Sequence, residues 1–282
     1  MSVAMLHMPD IEELKEAMRK AESPRESVQY LELVLFGKPK SGKTHFCGTL
    51  PRPLILDFDK GAGILGNKKK FPDFDGKRVM VTSWRDVELW YWLLHSYNDR
   101  KGMGFKSVVW DTVTYAHFLA MDETKAEKVV RDPSKSRWQS EMSDYGKAND
   151  RVKFWINQYK NLPMHKVWVC HEREDEAPVG WEEAVDEDDD GLGVWAVPDL
   201  PQGVRGFVMG LANLIGHQMR GRSKKTGEVV YLMAFNRAGS AASDRFGVMP
   251  KHIVNPTFEK VWSYYKDIIQ EEGSEDVHSD GN

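Results

Sequence analysis

The feature that most constrains this chain is the stretch Gly37-Lys38-Pro39-Lys40-Ser41-Gly42-Lys43-Thr44, which follows directly on the apolar run Leu31-Glu32-Leu33-Val34-Leu35-Phe36. The run reads as a buried strand. The stretch fits G-x-x-x-x-G-K-[ST], a loop that cradles phosphates between a strand and a helix. Its glycines let successive backbone N–H groups turn inward as an anion nest, and a helix opening near Lys43 adds the positive end of its dipole. Residues Gly37 to His45 would then line a polyphosphate, with Lys43 on the β- and γ-phosphates and the Thr44 hydroxyl on Mg²⁺. A start of this kind commits the chain to an α/β fold whose ligand sits at the carboxyl ends of parallel strands.

The rest of the pattern agrees. Further strands are expected at Pro53–Phe58, Arg78–Thr82, Phe105–Trp110 and Lys166–Cys170. Between them, helical spacing runs from Ser83, as cap, to Asn98, then over about Val113–Val130 and Asp144–Asn161. Strands alternating with helices predict a mostly parallel sheet covered on both faces. On the helix after Ser83, the stripe Val87, Trp90, Leu93, Leu94 and Tyr97 reads as the core face. Before the first strand, Ile11, Leu14 and Met18 suggest an amphipathic helix within a leading segment 1–27. The segment 28–270 reads as one domain, interrupted at 173–203 by a long acidic, Gly- and Pro-containing loop. Ala212–Arg220 and Glu228–Phe235 form a hairpin with a basic tip, a last helix spans about Thr257–Gln270, and 271–282 has the composition of a disordered tail.

Composition narrows the class. With 39 Lys and Arg against 43 Asp and Glu, the formal charge of −4 gives no global basic field, so a nucleic-acid partner would need a local patch. Two cysteines, Cys47 and Cys170, exclude a multi-bridge disulfide framework and fit a reducing compartment. No run approaches the length of a membrane span and no signal peptide is evident, so a cytoplasmic protein is expected.

Candidate chemistry gathers at the strand ends. Val108-Val109-Trp110-Asp111 is an apolar strand ending in an acid, as used to hold Mg²⁺ beside a phosphate loop. The next residue is Thr112, so a water-activating Glu directly after the magnesium acid is missing. Asp57 and Asp59 are two apart and leave their strand on one face. Asp59 is the candidate base for a water attacking the γ-phosphate, or else the cap of the turn Lys60-Gly61-Ala62-Gly63. His171 and Glu172 end the fifth strand, where a polar side chain either contacts the γ-phosphate or serves as a structural hydrogen-bond partner.

Taken in order, the phosphate loop, Asp59, Asp111 followed by Thr112, and the pair His171-Glu172 resemble the RecA-like ATPase core. With Asp144-Tyr145-Gly146, the Val-Trp-Val-Cys-His-Glu strand end and Arg245…Pro250…Asn255-Pro256, the chain looks more narrowly like phage-encoded RecA-like proteins of the single-strand-annealing recombinase group. The resemblance covers about Tyr30 to Phe258. It implies a RecA-like P-loop core with a C-terminal antiparallel hairpin extension, ATP and Mg²⁺ as cofactors, and hydrolysis stimulated by DNA. It gives Lys43 and Thr44 to phosphate and Mg²⁺, Asp111 to Mg²⁺, Asp59 to the base and His171 to the γ-phosphate sensor. It also implies a homo-oligomer with ATP between protomers, completed in trans by Arg245 or, second, Arg237; Ser243 stands where relatives carry another basic residue. Single-stranded DNA is the implied partner, with a single-strand DNA-binding protein as a further one. The basic cluster Arg131, Lys135, Arg137 and Trp138 and the hairpin tip with Arg220, Arg222, Lys224 and Lys225 are its candidate surfaces, each equally readable as a solvated charge cluster. The acids Glu182-Glu183 and Asp186 to Asp190 have the wrong sign for a phosphate backbone. A kinase of a nucleoside or other small metabolite, with Arg205, Arg220 or Arg222 in a lid, and a helicase-like motor or helicase loader share the first motif and stay open.

Overall fold

The computed structural model describes residues 30–98, 102–176, 194–223, 226–237 and 239–270. The expected N-terminal helix, the acidic run 182–190, Lys224, Lys225 and the tail 271–282 lie outside the described residues. The fold below belongs to the compact unit Tyr30–Tyr264.

Strand β1 (Glu32–Gly37) leads through the phosphate loop into a short helix, α1 (Lys43–Cys47), and then β2 (Pro53–Asp57). A 3-10 turn at Gly61–Gly66 precedes β3 (Lys77–Met80) and α2 (Trp84–Tyr97). Ser83 caps α2 as expected, in a capping box with Asp86, whose carboxylate accepts the Ser83 N–H at 2.9 Å. Then come β4 (Ser107–Asp111), α3 (Val113–Arg131), α4 (Met142–Lys160) and β5 (His165–Glu176). The chain continues through β6 (Val194–Pro198), α5 (Gln202–Leu211), β7 (Leu214–Arg222) and β8 (Val229–Ala234). It closes with β9 (Ser243–Asp244), β10 (His252–Val254) and α6 (Phe258–Gln270).

The sheet order is β10-β8-β7-β1-β5-β4-β2-β3, with β6 added on β5 and β9 on β7. From β7 to β3 neighbouring strands are parallel; β8 and β10 are antiparallel. This is the expected fold class, an α/β fold with a mostly parallel sheet flanked by helices and antiparallel strands at its C-terminal side. Alternate strand residues bury both faces. Val34, Phe36, Leu54, Leu56, Trp110 and Trp168 join one core cluster with the helices, while Leu33, Leu35, Ile55, Val109 and Val167 are fully buried between them in sequence. A continuous apolar strand reads this way when helices cover both faces. Each large side chain so buried contributes about 1.5–3 kcal/mol.

Three expectations are corrected. On α2 the buried face is Trp84, Val87, Tyr91 and Leu94, whereas Leu93 and Tyr97 are 36% and 45% exposed. The apolar stripe is wider than the core contact, and tertiary packing selected one edge of it. The segment 173–203 is not wholly a loop: β5 runs on to Glu176 and pairs antiparallel with β6, Glu172 facing Pro198 and Glu176 facing Val194. Acidic residues there, Glu174 and Glu176, stand on a two-stranded ribbon whose other strand buries Ala196 and Val197 in the core. Third, the first arm of the C-terminal hairpin is a core strand, since β7 lies parallel to β1 with Leu33 opposite Leu214. Helix α5, absent from the sequence reading, makes the crossover that a parallel neighbour requires. No described helix is long and apolar enough to cross a membrane.

Candidate functional site

The parallel registers bring the strand ends together. Gly37 pairs with His171, and Asp57 with Asp111, so the parallel part of β5 ends between the phosphate loop and the acids of β2 and β4. In the loop, Lys40 and Gly42 take left-handed φ values of 65° and 98°. Gly42 opens α1, and its carbonyl accepts the Phe46 N–H at 3.0 Å. Lys43 is 7% exposed and arches back over the loop, donating to the Gly37 and Lys38 carbonyls at 2.6 and 3.0 Å. Burial lowers the pKa of its ammonium, opposed by Asp111, Glu172 and Asp59 nearby. A cation held at such a cost invites a polyanion. The Ser41 hydroxyl is buried and has no hydrogen-bond partner among the described residues, which also fits a loop built to close on a ligand.

The Thr44 hydroxyl donates to Asp111 Oδ2 at 3.0 Å. Asp111 is 2% exposed, and burial, then the charge of Asp59, pushes its carboxyl up to about 7, against the Thr44 hydrogen bond. Among the described residues no group of three His, Cys, Asp or Glu could hold a metal by itself. Mg²⁺ needs no such group, because it is bound through one or two carboxylates together with substrate phosphates and water. A buried carboxylate beside a threonine hydroxyl and a phosphate loop therefore fits Mg²⁺ entering with the nucleotide.

Asp59 caps the turn, one of the two readings that the sequence left open, and its second oxygen faces the site. Its Oδ1 accepts the Gly61 N–H at 2.8 Å, capping the turn, while Oδ2 lies 3.6 Å from His171 Nε2. That separation is a charge contact longer than a hydrogen bond. Burial raises the Asp59 pKa, but His171 and the Gly61 N–H outweigh it and hold the carboxyl below the ordinary range. Asp57, fully buried, accepts from Arg78 Nε and from the Ala62 N–H at 3.2 Å, which anchors the turn that carries Asp59. His171 is fixed through its backbone: its N–H donates to Thr114 Oγ1 at 3.1 Å, and Thr114 donates to the Asp199 carbonyl at 3.0 Å.

Lys43, Thr44, Asp59, Asp111 and His171 thus converge. Arg245 does not join them: its guanidinium donates to the Gly210 carbonyl at 2.7 Å and Asn213 Oδ1 at 3.2 Å, at the end of α5. Arg237 is exposed beyond β8. Arg131, Lys135, Arg137 and Trp138 lie at the turn between α3 and α4, and Arg222 donates to the Gly227 carbonyl at 3.0 Å on the β7–β8 hairpin.

Sequence reasoning missed a buried chain beside the loop. Ser240 Oγ lies 3.1 Å from His217 Nδ1, and His217 Nε2 is 2.9 Å from Glu172 Oε2. Loop residue Lys38 lies 3.9 Å from Glu172 and 3.2 Å from Glu174. The imidazole of His217 stacks on Phe36, the last apolar residue before the loop. No spacing in one dimension relates residues 172, 217 and 240. The acid of Asp144-Tyr145-Gly146 has a structural task, closing the α4 capping box and accepting from Lys128 at 2.7 Å.

Phosphate loop, magnesium-side acid and strand order define a P-loop ATPase domain. A family model described as AAA domain matches residues 29–226, well over half of the chain, and the chain belongs to that family. No curated protein sequence matches it. Among solved structures, it is similar to the flagellar accessory protein FlaH from Methanocaldococcus jannaschii, at TM-score 0.37 and 10% identity over 82% of this chain and 88% of that one. It is also similar to the KaiC-like protein PH0186 from Pyrococcus horikoshii OT3, at TM-score 0.37 and 12% identity over 80% and 91%.

Proposed function

We propose that this P-loop ATPase is a RecA-like DNA recombination protein of the phage type, which binds single-stranded DNA and promotes annealing or strand pairing. The observation that carries the DNA reading is Trp138, 90% exposed at the α3–α4 turn beside Arg137, for which no ion pair is found among the described residues. An exposed indole next to a free guanidinium suits base stacking with backbone contact. Helix α3 begins at Val113, two residues after Asp111, and ends at Arg131 at the start of this turn, so one helix runs from the acid to the turn.

In the hydrolytic step, Asp59 takes a proton from water as its oxygen bonds to the γ-phosphorus, and the bond to the β–γ bridging oxygen breaks, leaving ADP and phosphate. A carboxylate kept ionised by His171 and the Gly61 N–H is available as acceptor at neutral pH. Lys43 neutralises charge on the transferred group. Thr44 and Asp111 would hold Mg²⁺, which would supply further charge neutralisation. The second half of the site comes from a neighbouring protomer through Arg245, which must leave the Gly210 carbonyl, or through Arg237. The decisive measurement is ATPase rate with and without single-stranded DNA, alongside particle size in both conditions. Stimulation with assembly supports the reading. A stable monomer without DNA binding at low salt overturns it, and phosphate transfer to a small acceptor would instead identify a kinase.

A further inference from the structure

The two glycines that bound the phosphate loop are both packed against the β7–β8 hairpin. A Cβ on Gly37 would stand 2.1 Å from the Gln218 carbonyl oxygen. A Cβ on Gly42 would stand 2.5 Å from Cδ1 of Tyr231, and 2.9 Å from both Cγ and Cε1 of that ring. Gly42 is thus required twice, by its φ of 98° and by an aromatic ring lying on it. The ring of His45, one residue beyond Thr44, lies 5.6 Å from the same tyrosine.

Tyr231 is itself held firmly. Its N–H donates to Asn255 Oδ1 at 2.9 Å, and its carbonyl accepts the Asn255 N–H at 2.7 Å. Asn255 takes a left-handed φ of 45°, and its carbonyl accepts from Lys260 at 2.9 Å. On the other strand Tyr231 faces Arg220, two rungs from the pair Arg222–Val229 that leads to the basic tip. A loop of backbone N–H groups binds phosphate well only when it is held in shape beforehand, and here one face of the loop has an aromatic floor.

We propose that Tyr231 is a positioning residue of the phosphate loop: by filling the space above Gly42 it holds the loop in its phosphate-binding shape. The inference rests on the reading of this loop as a nucleotide site. Replacing the ring by a methyl group leaves the loop without that floor, so nucleotide affinity falls while the chemistry of a bound nucleotide is retained.

The test compares the full chain with Tyr231→Ala and Tyr231→Phe, measuring the Kd of a fluorescent ATP analogue with Mg²⁺, kcat and KM for ATP, and the ligand-free thermal midpoint. In Tyr231→Ala, Kd and KM rise about ten-fold and kcat changes less than about two-fold, as expected for lost preorganisation. Tyr231→Phe, which keeps the ring, restores both to within about two-fold of the parent. Equal nucleotide affinity in the parent and Tyr231→Ala overturns the proposal and leaves the site reading intact. A loss of affinity that tracks a drop of the ligand-free midpoint in both variants also overturns it, since that is general destabilisation. If the parent itself binds no nucleotide, the site reading fails and the proposal falls with it.

Discussion

The carboxyl edge of the parallel sheet and the turn between α3 and α4 are built on opposite principles. At the sheet edge, Lys43, Asp57 and Asp111 are all less than a tenth exposed; strand pairing holds the two acids in register, and the Gly37 and Lys38 carbonyls hold the lysine. At the turn, Trp138 is 90% exposed, Met142 86% and Val130 83%. Charge is treated differently as well. The sheet edge keeps acids close together at a cost, seen in Asp111, whose carboxyl is pushed up to about 7. The turn neutralises most of its cations internally: Arg131 lies 3.7 Å from Glu127, and Lys135 3.2 Å from Glu141. Of the basic cluster legible in sequence, Arg137 is the one with no ion pair among the described residues. A site for a small, highly charged ligand is thus defined by burial. The surface proposed for single-stranded DNA is defined by what is left exposed and unpaired.

Substitutions can break or sharpen this contrast. The largest effect is expected from Lys43→Ala, which lowers ATP turnover about a thousand-fold by removing the only buried ammonium in the loop. Binding of single-stranded DNA without nucleotide should stay within about two-fold, and a parallel loss would merge the two regions into one site. Next, Asp59→Asn should lower hydrolysis by about a hundred-fold with nucleotide affinity nearly unchanged, as for removal of a general base. Unchanged hydrolysis in that variant would leave Asp59 as a turn cap only.

Trp138→Ala should weaken single-strand binding about ten-fold, the order of one lost base stack, while ATP turnover without DNA is untouched. Equal affinity there would return the turn to an ordinary solvated cluster. The smallest effect is on stability. The Asp111 carboxyl titrates near 7 in the fold and near the ordinary carboxylate value when unfolded. Between those values the folded state holds the extra proton, so the ligand-free parent loses stability as pH rises through about 4 to 7. Asp111→Asn removes that loss: its midpoint should exceed the parent's at pH 8 by a few degrees and converge with it near pH 4. A constant difference across this range would show that Asp111 does not titrate as its burial demands.

Much of the carboxyl edge was legible because it lies in short stretches: the loop Gly37–Thr44, Asp57 ending one strand with Asp59 just beyond it, Asp111 ending another, and His171 after the apolar run of a third. Their apolar runs placed each at the end of a buried strand segment, and parallel pairing did the rest. Helix α5 and the ribbon of β5 with β6 were not legible, since Gln202–Leu211 contains three glycines among its residues and the ribbon's acids obey no burial pattern. The α2 stripe was read too broadly, because Leu93 and Tyr97 are apolar without being covered.

By itself, the sequence determined that the chain forms a parallel α/β sheet with a phosphate loop at one strand end, because that information is local: a strand period, a glycine spacing, a lysine and a threonine. Only the tertiary structure decided what backs the loop and what neutralises the charges around it. Tyr231 on Gly42, His217 on Glu172, Arg78 on Asp57 and Arg245 on Gly210 all join residues distant in the chain. Such contacts depend on the order in which strands pair, and no local pattern encodes that order.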